Sequence, residues 1–120
     1  MVVVVDDEPA IVEVVCDALS DADLTTIGCT HGREAHACIR KARPEVVILD
    51  VQMPGIDGIE VFHHMRADPC TSNIPVIFFT ANADKLKQRL PNYSSLGADL
   101  LPKPFDVDKL LDLVKLKLPA

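Results

Sequence analysis

A chain of 120 residues with 18 acidic and 12 basic side chains, net charge −6, has the size of one compact domain. It lacks the basic footprint that nonspecific nucleic-acid binding needs, so no direct grip on DNA or RNA is expected. Hydrophobic residues make up 48% and aromatic residues only 4%, which suits an aliphatic core on both sides of a sheet. No apolar stretch reaches the length of a membrane span and no signal peptide is visible, so a cytoplasmic location is expected.

The first element is an apolar run, Val2 to Val5, that ends in Asp6-Asp7-Glu8-Pro9. Pro9 suits the first turn of a helix, and Ile11, Val14, Val15, Ala18 and Leu19 follow helical spacing as its inward stripe. Leu24 to Gly28 reads as a short strand. A second helix is predicted over 32–42, with Ala35, Cys38, Ile39 and Ala42 inward, and Arg43-Pro44 stops it. Val46 to Leu49 is an unbroken apolar run ending in Asp50, the pattern of a strand buried on both faces. It turns at once on Met53-Pro54-Gly55 and Asp57-Gly58.

Gly58 opens a third helix, with Ile59, Phe62, Met65 and Arg66 on one face, and a turn-rich loop over 67–73 follows. His31, His36, His63 and His64 read as solvated side chains. The run from Ile74 to Ala81 is the fourth strand and carries Thr80 near its end. Asp84 to Leu90 forms two helical turns, which Pro91 breaks by removing a hydrogen bond and clashing with the preceding turn, leaving a short piece over 92–96. Ala98 to Phe105 is the fifth strand segment, with Lys103 between Pro102 and Pro104. The last helix runs from an Asp106 N-cap to Leu118 and turns Val107, Leu110, Leu111, Val114 and Leu118 to one side. The four cysteines show no C-x-x-C pairing and read as reduced thiols, Cys16 and Cys38 as small apolar residues.

The alternation of strand and helix predicts an α/β fold, a doubly wound parallel sheet with right-handed crossovers. Ligands in such folds sit outside the carboxyl ends of the strands. Parallel alignment would bring Asp6, Asp7, Asp50, Thr80 and Lys103 to one rim, an acidic cup edged by a hydroxyl and an ammonium.

The acidic pair after the first strand, D-x-x-M-P-x-x-D-G from Asp50, T-A at Thr80-Ala81 and K-P-F at Lys103 resemble, in that order, the receiver domain of two-component response regulators. The resemblance covers nearly the whole chain and implies a single receiver domain over 1–120. It implies a flavodoxin-like fold with strand order 2-1-3-4-5 and five flanking helices. It makes Asp50 the phosphoacceptor and a signalling group rather than part of an enzyme site. Its expected metal ligands are Asp7, Asp50 and the backbone carbonyl of Gln52, with Asp6 acting partly through water. Three crowded carboxylates call for a cation, and hard oxygen ligands suit magnesium or manganese.

In the same reading Lys103 and Thr80 meet phosphoryl oxygens, Ala81 leaves room for the donor, and Gln52 and Asn82 tune the lifetime of the phosphate. The chain has no G-x-x-x-x-G-K-[ST] loop, so the expected donor is phosphohistidine on a histidine kinase or histidine phosphotransfer protein rather than ATP. Intrinsic autophosphorylation and autodephosphorylation, an output domain or target protein, and a dimer formed on phosphorylation belong to the same expectation. The chain begins at the first strand and stops after the last helix, which fits a stand-alone regulator or a piece of a longer protein. It departs from the family at Leu100, where an aromatic side chain usually reports phosphorylation. That departure keeps open a phosphorylation-independent, receiver-like binding module. A small phosphatase of the same fold lacks an apparent general acid or substrate loop.

Overall fold

Valine four times over leaves β1 (Val2–Val5) no polar face, and all four side chains are buried in the computed structural model of the chain. The structure describes every residue except Phe105 and Ala120. β1 lies between β2 (Thr26–Cys29) and β3 (Val46–Leu49), and β4 (Val76–Thr80) and β5 (Ala98–Pro102) follow, giving the parallel order 2-1-3-4-5. The helices are α1 (Pro9–Asp21), α2 (Gly32–Ala42), α3 (Gly58–Ala67), α4 (Ala83–Arg89) and α5 (Val107–Lys117).

Two cores form because the sheet has two covered faces. Val3, Val5, Val47, Leu49, Val76 and Phe78 point toward α2, α3 and α4. Val2, Val4, Val46, Ile48, Ile77 and Phe79 point toward α1 and α5. The period-two alternation of a strand thus divides uniformly apolar runs between opposite layers.

The expected stripes hold with local corrections. In α1 the buried residues are Val12, Val15 and Leu19, while Val14 is 50% exposed. The helix is turned about one position from the predicted stripe, and Val14 faces outward beside α5. Val107, expected inward, is also exposed, at the first position of α5, before the helix has settled onto Leu110 and Val114. β2 starts at Thr26, two residues after the predicted boundary, with the chain still turning through Asp23 at φ 64°. α4 ends at Arg89, and a single 3-10 turn over Tyr93–Leu96 follows Pro91, as the proline break requires.

Candidate functional site

The register of the sheet builds the rim. Val5 lies opposite Leu49, and the Asp50 N–H donates to the Val5 carbonyl at 2.9 Å, while the Asp6 N–H donates to the Cys29 carbonyl at 3.1 Å. The ladder therefore runs one residue past β1 and β3 and sets Asp6 and Asp50 side by side. On the next pair Thr80 lies opposite Pro102, and the Lys103 N–H donates to the Thr80 carbonyl at 2.9 Å. Four of the five residues predicted for the rim, Asp6, Asp50, Thr80 and Lys103, are thus held by backbone pairing at strand ends. The fifth, Asp7, is half-buried immediately after Asp6.

Asp6 and Asp50 are 2% and 5% exposed, a costly depth for carboxylates unless they are partnered. The Lys103 ammonium supplies the partner, 2.8 Å from Asp6 Oδ2 and 3.6 Å from Asp50 Oδ2. It also lies 5.4 Å from the centroid of the Phe79 ring. Asp6 Oδ1 accepts from the Glu8 N–H at 3.0 Å. Burial, with the neighbouring Asp6 charge second, pushes the Asp50 carboxyl up to about 6; Lys103 and the N–H groups of Gln52 and Val51 offset only part of this. Burial opposes charge on Lys103, but its hydrogen bond to Asp6 and the field of Asp50 outweigh that and raise its pKa. The peptide bond between Lys103 and Pro104 is cis. Phe105, the last residue of the K-P-F motif, lies outside the described residues.

Thr80 is 1% exposed, and its Oγ1 accepts from the Asn82 N–H at 3.0 Å, which leaves the hydroxyl hydrogen available to donate toward the rim. The Asn82 side chain caps α4, its Oδ1 accepting from the Lys85 N–H at 3.1 Å. Ala81 and Gln52 are exposed at the mouth. Leu100, in place of the usual aromatic, is half-buried opposite Phe78 and packs on the core under α2 to α4. Tyr93 packs partly against the same core from the turn after α4.

Three features were not foreseen. Carboxylate oxygens of Asp6, Asp7 and Glu8 lie within 4.8 Å of one another, so Glu8 joins the acidic mouth; its place in the run Asp6-Asp7-Glu8 was the available signal. Second, Asp57 is a third buried acid beside Asp6 and Asp50. It caps α3 through the Glu60 N–H at 3.0 Å, and its Oδ2 meets Arg89 at 2.5 Å and Lys85 at 3.7 Å from α4. Burial works against its charge, yet the Glu60 N–H and Arg89 hold its pKa below the ordinary value. Its partners on α4 lie far along the chain, so no local pattern shows them. Third, a Cβ at Gly58 would stand 1.9 Å from the Asp50 carbonyl oxygen, so only glycine lets α3 start against the backbone of the site.

His31, His63 and His64 are exposed as expected, but His36 is not simply solvated: its Nε2 lies 3.1 Å from Asp68 Oδ2. The four cysteines are free, Cys29 buried and Cys70 exposed. Among the described residues no helix is long and apolar enough to cross a membrane.

An open parallel sheet in this order with acids, a hydroxyl and a lysine at its carboxyl rim defines the receiver class of two-component signalling proteins. A family model described as the response regulator receiver domain matches residues 2–115, and the chain belongs to that family. The probable transcriptional regulatory protein TcrX of Mycobacterium tuberculosis is 37% identical over 112 residues, 92% of this chain and 46% of that protein. The chain therefore spans less than half the length of this relative. Chemotaxis protein CheY4 of Vibrio cholerae superposes with a TM-score of 0.85 at 32% identity, covering 98% of this chain and 97% of that one. Response regulator TrrA of Thermotoga maritima, solved in complex with Mg²⁺ and BeF, gives a TM-score of 0.83 at 31% identity, covering 98% and 97%.

Proposed function

We propose that residues 1–120 act as one receiver unit in which Asp50 accepts a phosphoryl group from phosphohistidine on a histidine kinase or histidine phosphotransfer protein. The observation that carries this reading is the Lys103 ammonium, shared between Asp6 at 2.8 Å and Asp50 at 3.6 Å beneath an open acidic mouth. An Asp50 oxygen attacks phosphorus, the P–N bond breaks, and its electron pair returns to the imidazole, leaving an acyl phosphate. Lys103 is near enough to move onto a phosphoryl oxygen as the charge develops. Thr80 donates its free hydroxyl hydrogen to a second oxygen, and exposed Ala81 leaves the approach open. Gln52 and Asn82 flank this path and set how readily water reaches the acyl phosphate, the route to autodephosphorylation.

The donor set fits a hard divalent cation, magnesium or manganese: every candidate ligand is an oxygen, from Asp6, Asp7, Asp50 and the Gln52 carbonyl, with Glu8 at the edge. Such an ion, when bound, supplies positive charge opposite the transferring oxygens. A shallow groove between α1 and α5, lined by Val14, Ala18, Val107 and Leu111, offers a partner an apolar surface. We read the output as a shift of α4, which Asp57 ties to the β3–α3 loop through Arg89 and Lys85. Leu100 leaves no aromatic rotor to do this, which also favours the second reading, a binding module indifferent to phosphorylation.

The test is incubation of wild type and Asp50→Asn with acetyl phosphate and Mg²⁺, read by intact mass. The expected result is one phosphoryl adduct on wild type alone, abolished by chelation. Wild type left unmodified by both acetyl phosphate and phosphoramidate would overturn the phosphoacceptor reading in favour of the binding module.

A further inference from the structure

On the α2–α3 face a groove of about 510 Å³ is lined by Arg33, His36, Arg40, Lys41, Arg43 and His64, and its Arg33 end adjoins the cavity beside Asp7. It gathers four of the 12 lysines and arginines in a chain whose net charge is −6. On the opposite layer α1 contrasts with it, carrying Glu13, Asp17 and Asp21 and no base, while its neighbour α5 carries Lys109, Lys115 and Lys117.

Helix stabilisation explains part of the pattern, because Arg40 and Lys41 sit in the last turn of α2, where cations favour the macrodipole. It does not explain Arg33, which stands in the first turn, where a positive charge opposes that dipole. Arg43 shares that negative pole, yet it ends the helix at φ 48°. That left-handed position favours glycine, so an arginine there is held at a conformational cost of about 1 kcal/mol. Asp68 engages His36 at 3.1 Å and Arg40 at 3.3 Å, whereas Arg33, Lys41 and Arg43 make no ion pair among the described residues. Exposed Ala37 and half-buried Ile56 provide an apolar floor between the cations.

We propose that this groove is a docking site for an acidic polypeptide segment of a partner protein. Arg33 and Arg40 are seven residues apart on one helix, so the segment would place carboxylates about 10 Å apart, against an apolar contact at Ala37 and Ile56. Nucleic acid is the competing polyanion. The acidity of the rest of the chain repels a long duplex but not a short acidic segment that stays in the groove.

The test is a titration of the ¹⁵N-labelled protein with an oligoglutamate peptide long enough to span the groove, in low salt, followed by amide shifts. Shifts confined to residues 32–43, 56 and 64 are expected. Arg33→Glu combined with Lys41→Glu should weaken binding by about tenfold or more, while Lys115→Glu on the opposite layer leaves it within about twofold. The amide spectrum of each variant reports its fold. Shifts scattered over the surface, equal weakening by Lys115→Glu, or tighter binding in the groove by a single-stranded oligonucleotide of equal charge would each overturn the proposal.

Discussion

Asp50 is a carboxylate kept at a depth where its charge is unfavourable until something neutralises it. Its pKa of about 6 in the metal-free protein stands above the ordinary 3.8, so its protonated form stabilises the fold. That contribution is full below about 4 and is lost as pH rises through about 6. Asp50→Asn removes the buried charge, and urea titration of the metal-free variant at neutral pH should show stability raised by about 1–3 kcal/mol. An unchanged or lower midpoint would mean that Lys103 already compensates Asp50 fully. With Asp50 in its proposed role as a metal ligand, the same titration governs metal affinity, because a ligand must shed its proton to bind a cation. Calorimetry should find Mg²⁺ binding nearly constant above pH 7 and weakening by roughly tenfold per unit once pH falls below about 6. These residues were legible because each ends an apolar run. The depth of Asp50 and the sharing of Lys103 with Asp6 were not, since both depend on strands brought together from distant parts of the chain.

At the scale of elements, the site is braced by α3 and α4. Gly58→Ala would drive a methyl group into the Asp50 carbonyl and push α3 off the loop. The expected cost is about 1–3 kcal/mol in unfolding free energy, together with slowed phosphoryl uptake from acetyl phosphate. Arg89→Ala leaves the buried Asp57 carboxylate with Lys85 at 3.7 Å and its cap bond. Hydrogen exchange should then quicken in α4 but not in α5, with a stability loss of about 1–2 kcal/mol that Arg89→Lys partly restores. Because the Asp57 pKa lies below the ordinary value, this brace is intact at neutral pH and is lost as pH falls through that lowered value. The break at Pro91 was predictable from proline alone. The rotation of α1 that exposes Val14 and buries Val12 was not, because both valines satisfy a helical stripe and only contact with the sheet and α5 chooses between them.

For the whole molecule, a ligand that binds only the folded rim must stabilise everything the sheet connects. Mg²⁺ at about a hundred times its dissociation constant should add about 2.7 kcal/mol and raise the melting temperature by several degrees. The double variant Asp7→Asn, Asp50→Asn should show no such rise by scanning calorimetry; an equal rise would place the cation elsewhere. The contrast between two helices acts at this scale too, because neither the acidic α1 nor the basic α2 groove is visible in a net charge of −6.

The layered α/β architecture, the break after α4 and the position of the rim acids are readable along the chain. Each follows from local chemistry: apolar runs that need burial on both faces, a proline without an N–H, and carboxylates that cannot continue a buried strand. How those groups meet depends on the packing of strands and helices. Parallel register sets Asp6 beside Asp50, the β4–β5 pairing delivers Lys103 to both, and the packing of α4 on α3 brings Arg89 to Asp57. Coulomb and desolvation energies depend on distance and burial in space, and neither quantity is written in the order of residues along the chain.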